Sequence, residues 1–415
     1  MSRIGRPLLV LMLLPLVIAS LLLSRCGDGG QSTPTPTKTP ETSLVAATIA
    51  PPTATPLPPT DTPLPPSPMP MPEDTPTPLP SDTPTALAAA PEPTAAAPAR
   101  TAAKAPPLAG NLCPLTGLPV DDPAKLERRP LAVKVSNSPQ TRPQSGLANA
   151  DMVFEHLAEG GITRFTALYL CQDAELIGSM RSARFIDLEL PVMYKAILVF
   201  SGVSPGLVPK FKESGFRDRQ LSPDPLWGEP GTYRVDIEGR AYEHTLFTDT
   251  GLLWLIATER GLNQRQELAG MTFSEEPPGG GEEASIAHIP YLISPVRYEY
   301  DAGREGWLRW IRDEPHSEAS TGIQHAPANV VIVGAHHVET EIIEDSLGSR
   351  SIQIQLWGDG PALVLRQGKA YETRWVRSDP EDVLHIAYHD GTPFPLKPGQ
   401  TWVQLTPLDM ETVVQ

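Results

Sequence analysis

Six charged side chains in residues 155–187 are the strongest candidates for a ligand-binding site. They are three arginines and three carboxylates: Glu155, Glu159, Arg164, Arg181, Arg184 and Asp187. A guanidinium group binds anions through a rigid fork of N–H donors, and it pairs with carboxylates through the same fork. The cluster therefore predicts one of two arrangements. Either it is a cradle for phosphate, pyrophosphate or a sugar carboxylate, or it is a buried ion-pair network that orients a sheet.

Local patterns indicate how these side chains would be positioned. On a strand over 163–170, Arg164 and Thr166 share one face and lie beside the Gly160-Gly161 turn. Arg181 and Arg184 are three residues apart, so they project together if they begin a helix, whose N-terminus adds partial positive charge. In a catalytic interpretation, Glu155, Glu159 or Asp187 would act as the base.

A nucleophilic serine is the second chemical pattern. Gly202-Val203-Ser204-Pro205-Gly206 follows an apolar strand and matches the G-x-S-x-G elbow of α/β-hydrolases. In that elbow the residue after the serine supplies an N–H to the oxyanion hole, and Pro205 has none. The segment is therefore interpreted as a strand-to-helix turn.

Histidines in the second half form the third pattern. They are His336, His337, His385 and His389, with Asp390 beside the last. Their spacing matches no specific metal signature. The sequence thus predicts neither a metal site nor a cofactor.

The N-terminus indicates export. Arg3 and Arg6 precede an apolar run over 7–24, which is typical of a bacterial export signal. Leu22-Leu23-Ser24-Arg25-Cys26 resembles a lipobox with Cys26 as the candidate lipidation site, but Arg25 stands where the peptidase requires Gly or Ala. If the segment is not cleaved, it becomes a short signal-anchor helix. Both interpretations of residues 1–26 tether the chain to the outer face of the cytoplasmic membrane.

Residues 27–110 form a Pro/Thr/Ala-rich segment, and no Phe, Trp or Tyr occurs in it. Such a composition cannot form a core and favours extended, polyproline-like conformations. The sequence predicts a disordered stalk that carries a folded domain away from the lipid.

The rest of the chain predicts an α+β fold class with two domains. A mixed α/β domain would cover 111–275, and a mainly β domain would cover 284–410, after the acidic Pro/Gly-rich run over 274–283. In the first we expect strands over 131–137, 151–157, 163–170 and 196–201, and helices over 183–194 and 250–260. In the second we expect strands over 296–300, 307–311, 329–333, 352–357, 373–376 and 402–405.

Cys113 and Cys171 are the two cysteines of the predicted folded region. In an oxidising compartment they could pair as a disulfide, and the alternative is two buried free thiols. The sequence leaves both open.

Several segments together resemble a bacterial family, the YerB-like lipoproteins of unknown function. The matching segments are Cys113-Pro-Leu-Thr-Gly-Leu-Pro-Val120, Arg129-Pro-Leu-Ala-Val133, Arg142-Pro-Gln-Ser-Gly146, Ala150-Asp-Met-Val153, Glu159-Gly-Gly-Ile-Thr-Arg-Phe165, Ile177-Gly178 and Arg181-Ser-Ala-Arg184. Weaker similarity continues through Tyr242-Glu-His-Thr-Leu-Phe247, Pro315-His316 and Ala328-Asn-Val-Val331, so that it covers about 111–407. Ser179-Met180 departs mildly from the family pattern. The resemblance implies a lipoprotein with a mixed α/β N-terminal domain and a separate C-terminal domain, and it brings no catalytic residues.

Two functions of different class follow. One is a non-enzymatic module that binds cell-wall glycan or an envelope protein. The other is an enzyme that acts on a phosphorylated or anionic envelope polymer through the arginines, so the sequence leaves catalysis open. The net charge of -16 argues against nucleic acid as a partner, because like charges repel.

Overall fold

The computed structural model describes residues 103–228 and 231–415. The predicted export segment, Cys26 and most of the predicted stalk lie outside these residues. Within them, no helix is both long and apolar enough to cross a membrane.

The first half of the described chain alternates short strands with short helices. Its strands are β1 (Leu131–Ser136), β2 (Met152–Leu157), β3 (Thr163–Tyr169), β4 (Ile177–Gly178), β5 (Ile197–Val199), β6 (Gln220–Leu221), β7 (Tyr233–Arg234), β8 (Leu246–Thr248) and β9 (Thr272–Phe273). Its α-helices are α1 (Leu190–Met193), α2 (Val208–Glu213) and α3 (Thr250–Glu259). Short 3-10 turns cover Pro123–Glu127, Pro139–Thr141, Leu147–Asn149, Glu159–Gly161, Phe185–Leu188, Arg217–Arg219 and Tyr242–His244.

The second half is built from strands. They are β10 (Glu282–Glu283), β11 (Ile286–Ile289), β12 (Val296–Asp301), β13 (Gly306–Ile311), β14 (Glu314–Pro315), β15 (Asn329–Ile343), β16 (Arg350–Gln355), β17 (Gly358–Arg366), β18 (Lys369–Arg377), β19 (His385–Ala387), β20 (Pro395–Leu396), β21 (Thr401–Pro407) and β22 (Val413–Val414). The described chain is thus mostly sheet with few helices. This agrees in part with the predicted α+β class.

One twelve-stranded sheet runs through both halves. Its order is β10-β18-β17-β15-β21-β2-β3-β1-β5-β6, with β16 paired to β15 and β19 paired to β18. The late strand β21 pairs in parallel with β2 on one side and with β15 on the other. The sheet therefore continues across the predicted boundary between 111–275 and 284–410, and the division into two domains stays a prediction.

The two faces of the sheet bury separate cores. On β1, Leu131, Val133 and Val135 face the core that α3 covers through Leu253 and Trp254. Ala132 faces the opposite core, because side chains of a strand alternate between faces. The second sheet, β14-β13-β12-β11-β22, packs a third core against β15 and β17.

One predicted helix differs from the structure. Residues 183–194 do not form a single helix, since a 3-10 turn over Phe185–Leu188 is followed by the four-residue α1. The carboxylate of Asp187 accepts a hydrogen bond from the Arg184 backbone N–H at 2.7 Å and so starts the turn at Arg184. Pro191, which has no N–H, falls in the first turn of α1. Arg181 consequently precedes the turn instead of sharing a helix with Arg184.

Candidate functional site

The six predicted site residues fall into four different environments. Arg164 and Arg184 share Glu159, Arg181 stands apart, Asp187 joins a buried lysine, and Glu155 joins a buried arginine. Strands β2, β3 and β1 lie side by side; β2 carries Glu155 and β3 carries Arg164, while the other four residues lie in turns and connecting segments.

Glu159 forms ion pairs with both Arg164 and Arg184. It sits in the turn after β2, where Gly160 has a φ of 66° that glycine adopts readily. Its Oε1 lies 2.5 Å from Arg164 Nη2, and its Oε2 lies 2.5 Å from Arg184 Nε. Burial alone would raise the pKa of Glu159, but hydrogen bonding to Arg184 and the charges of both arginines outweigh it and lower that pKa to about 2. Both arginines are therefore capped by a carboxylate that is ionised at neutral pH.

A second carboxylate reaches the same pair from the other half of the chain. Glu344, at the turn between β15 and β16, places its Oε2 3.4 Å from Arg184 Nε, and its side chain has no exposed surface. Arg164 also donates to the Ser182 carbonyl at 2.8 Å. Two arginines thus face two carboxylates, and the local charge is balanced.

Arg181 is the exception in the cluster. Its half-buried guanidinium makes no side-chain hydrogen bond or ion pair with any residue that the structure describes. Burial lowers its pKa, and the charge of Glu243 opposes that shift. The three arginines therefore do not form the predicted cradle. Arg164 and Arg184 are paired with Glu159, and Arg181 is the one of the three without a side-chain partner among the described residues.

Asp187 belongs to a closed network on one face of the sheet. Lys134 Nζ lies 3.0 Å from Asp187 Oδ1, 2.7 Å from His156 Nε2 and 2.6 Å from Thr166 Oγ1, and both charged side chains are fully buried. Burial lowers the pKa of Lys134 to about 8, against the opposing charge of Asp187. Each polar group has a partner inside the network, which suits a role in ordering the core.

Glu155 belongs to a network on the opposite face. Its Oε2 lies 2.8 Å from Arg309 Nη2, and its Oε1 accepts from Asn137 Nδ2 at 3.0 Å and from Thr163 Oγ1 at 2.7 Å. Arg309 also donates to the Tyr298 hydroxyl and to His316 Nδ1, at 2.8 Å each. Burial would lower the pKa of Arg309, but the Glu155 charge and the interactions with Tyr298 and Tyr291 together outweigh it and raise that pKa. A fully buried carboxylate in such a network is out of reach of a substrate.

Sequence reasoning missed the partners of these carboxylates. Lys134 stands in the apolar run Leu-Ala-Val-Lys-Val of β1, and Arg309 stands between Leu308 and Trp310 on β13. A lone cation inside a strand-like apolar run is rarely buried without a partner, and this was the available signal.

The cysteines and the serine lie elsewhere. The sulfur atoms of Cys113 and Cys171 are 2.15 Å apart, beside Asp151, whose carboxylate accepts from Cys171 N at 2.9 Å. Ser204 is buried at the turn that leads into α2.

The four histidines do not converge. His385 is buried while His336 and His389 are exposed, and within residues 103–228 and 231–415 no group of three metal-ligating side chains includes a histidine. The structure thus provides no support from histidine geometry for a metal centre in this region.

Comparison with known proteins identifies the family. Residues 115–263 match the domain described as "Protein of unknown function (DUF3048) N-terminal domain", and residues 287–403 match its C-terminal domain. The chain is 33% identical over 298 residues to "Putative lipoprotein YerB" of Bacillus subtilis (strain 168), covering 71% of this chain and 86% of that protein. It is also similar to the crystal structure of the YerB protein from Bacillus subtilis, with a TM-score of 0.63 and 32% identity over 73% of this chain and 99% of that one. The predicted resemblance is confirmed: the chain belongs to the YerB-like family, whose DUF3048 domains have no known function.

Proposed function

We propose that this protein is a membrane-tethered, non-enzymatic binding or scaffolding module on the outer face of the bacterial cytoplasmic membrane. The observation that carries the proposal is the double capping of Arg164 and Arg184 by Glu159. Guanidinium groups that already hold a carboxylate in their fork have little capacity left for a phosphorylated substrate.

The candidate general bases of the enzymatic alternative are also engaged in ion pairs. Of the three candidate bases, Glu155 and Asp187 are fully buried in ion pairs, and Glu159 is held by the two arginines. A general base must reach the proton that it removes, directly or through one water. Arg181 alone would then have to stabilise the transition-state charge.

An acidic trough offers the surface for a partner. We use this name for two adjoining recesses, of about 320 and 530 Å³, that share Leu363, Glu372 and Thr412. Pro361, Leu363 and Leu408 give the trough an apolar lining. The exposed carboxylates of Glu282, Glu283 and Glu372 lie along it, and Lys369 pairs with Glu283 at 3.1 Å.

The charge of the trough selects among the envelope partners. Carboxylates at the rim of an apolar recess repel an anionic wall polymer and attract a basic, partly apolar segment of a protein. Of wall glycan, anionic polymer and envelope protein, the acidic trough therefore favours an envelope protein.

A binding experiment with a matched control tests the proposal. Full-length protein in detergent is immobilised and exposed separately to purified wall, teichoic-type polymer and solubilised envelope proteins. We expect retention of an envelope protein that weakens with salt and is lost in Glu372→Lys, because the trough charge is reversed. The control Glu259→Lys changes an exposed carboxylate on α3 and should bind normally. Retention of wall polymer that Glu372→Lys leaves unchanged, or cleavage of that polymer, would overturn the proposal.

A further inference from the structure

We infer that a second site, distinct from the acidic trough and from the Arg164–Arg184 cluster, binds a small oxyanion through Arg142. The site is a cavity of about 250 Å³ lined by Arg142, Glu314, His316 and Ser317, together with apolar side chains. We call it the Arg142 pocket. It brings the loop after β1 against the residues that follow β13.

Arg142 is held rigidly, and two of its donors remain unused. A guanidinium has five N–H donors. Arg142 Nε donates to Asn137 Oδ1 at 3.1 Å, and Nη2 donates to the Asn137 carbonyl at 2.7 Å and to Ser294 Oγ at 2.5 Å. The two N–H groups of Nη1 make no hydrogen bond with the residues that the structure describes. The fork is therefore oriented in advance, which reduces the entropy lost when a ligand binds.

The positive charge of Arg142 lacks a direct counter-ion. All three of its acceptors are neutral, and Arg142 forms no ion pair within the described residues. Glu155, the carboxylate whose charge raises the pKa of Arg142 most, is already bonded to Arg309. Burial lowers the pKa of Arg142 to about 10, so that the group is still cationic at neutral pH. A partly buried cation without a counter-ion is unfavourable, and a bound anion relieves that cost.

The charges that act on Arg142 balance by count, so the positive charge of Arg142 itself is in excess. Arg309 and Arg312 lower the pKa of Arg142, while Glu155 and Glu314 raise it. Of these groups, Arg142 and Glu314 line the pocket. Glu314 is exposed at the rim, so its carboxylate opposes an anion without blocking the floor.

The floor of the pocket is a fixed polar surface. Arg309 Nε donates to His316 Nδ1, so His316 carries its proton on Nε2 and donates it to Gln144 Oε1 at 2.7 Å. Ser317 is half-buried, and its hydroxyl makes no hydrogen bond with any residue of the described ranges. Arg142 Nη1 and Ser317 Oγ are then the donors available to a ligand.

The size of the pocket restricts the ligand. Pockets for drug-sized molecules span roughly 300 to 1,000 Å³, and this one is smaller. A cationic, donor-rich recess of this size suits a phosphate or carboxylate group, either free or at the end of a larger molecule.

Thermal shift with chosen anions tests the site. The melting temperature of the full-length protein in detergent is measured with inorganic phosphate, sulfate and acetate, against NaCl of equal ionic strength. We expect a dose-dependent rise with at least one anion, because a ligand that binds only the folded state stabilises it. Phosphate against acetate separates the two ligand chemistries.

Two arginine variants locate the effect. Arg142→Gln should abolish the anion-dependent rise in melting temperature. Arg181→Gln should keep that rise, because it alters a guanidinium near Arg184 that lies outside the Arg142 pocket. The reverse pattern would place the anion at Arg181 and overturn the inference. An absence of any shift with all three anions would overturn it as well.

Variants that keep Arg142 and its hydrogen bonds intact cover the case in which Arg142→Gln does not fold. Glu314→Gln removes the rim carboxylate and should lower the Kd of the anion, while Ser317→Ala removes a donor and should raise it. Unchanged Kd values in both variants would contradict a ligand in this pocket.

Discussion

Glu155 Oε2 and Arg309 Nη2 lie 2.8 Å apart with both side chains fully buried, and this pair joins β2 in the first half of the chain to β13 in the second. Removing one partner of such a pair leaves an uncompensated buried charge, which costs about 3 to 5 kcal/mol. We therefore expect Glu155→Gln to lower the free energy of unfolding by about that amount, measured by denaturant unfolding.

An exposed ion pair provides the control for this prediction. Arg265 and Glu127 lie 2.9 Å apart with side chains that are 56% and 64% exposed. Surface pairs contribute at most about 1 kcal/mol, so Glu127→Gln should have a small effect. Equal losses in the two variants would show that the buried pair has no special role.

The buried histidines predict acid sensitivity. Burial, with the charges of Arg309 and Arg304, lowers the pKa of His325 to about 3, so the folded state keeps this ring neutral while the unfolded state protonates it below about 6.5. Between these values the unfolded state binds more protons, and the stability of the fold decreases as pH falls. We expect His325→Phe to reduce this slope by about 1.4 kcal/mol per pH unit.

The matched control for the pH experiment is His288→Phe on β11, since His288 is exposed. It should keep the wild-type slope. Unfolding curves between pH 6.5 and 4 give the slope of the unfolding free energy against pH for each variant. An unchanged slope in His325→Phe would show that His325 does not cause the acid sensitivity.

The sequence leaves open whether Cys113 and Cys171 pair, and the question can be tested chemically. The sulfur positions are compatible with a disulfide, and the pairing would close a loop with a sequence separation of 58. A cross-link over such a loop stabilises by about 4 kcal/mol in the chain-entropy model. We expect a linked peptide in mass spectra of the non-reduced Cys26→Ser protein. Alkylation of both thiols in the folded, oxidised protein would exclude the bond.

The N-terminal anchor is a separate prediction, because Cys26 lies outside the described residues. Full-length protein should fractionate with membrane in its native host. Loss of membrane association in Cys26→Ser would support lipidation, whereas unchanged association would support an uncleaved helix and contradict lipidation of this member of the family.

The strands were predictable where apolar residues repeat between clear turn residues. Predicted strands over 131–137 and 163–170 correspond to Leu131–Ser136 and Thr163–Tyr169. Strand β17 was missed because Gly358, Gly360 and Pro361 begin it, and such residues normally indicate a turn. Tertiary pairing with β18 along its whole length overrides that local preference.

The candidate site was harder to predict, because its partners are distant in sequence. The cluster of charges around Glu159 is local and was identified, but Arg309 lies 154 positions from Glu155, and Glu344 comes from a turn between distant strands. Only the shared sheet brings these side chains together. Local pattern also could not show that Glu159 would cap two arginines at once.

That capping is the central claim, and a double-mutant cycle on Glu159 and Arg184 tests it most directly. The free energy of unfolding is measured for the wild type, Glu159→Gln, Arg184→Gln and the double variant. Because the two side chains are in contact and only 15% and 9% exposed, we expect a coupling energy of about 0.5 to 3 kcal/mol. The phosphate-dependent rise in melting temperature should persist in Arg184→Gln. Additive effects with no coupling, together with loss of that rise in Arg184→Gln, would contradict a structural role and restore the arginine cluster as an anion site.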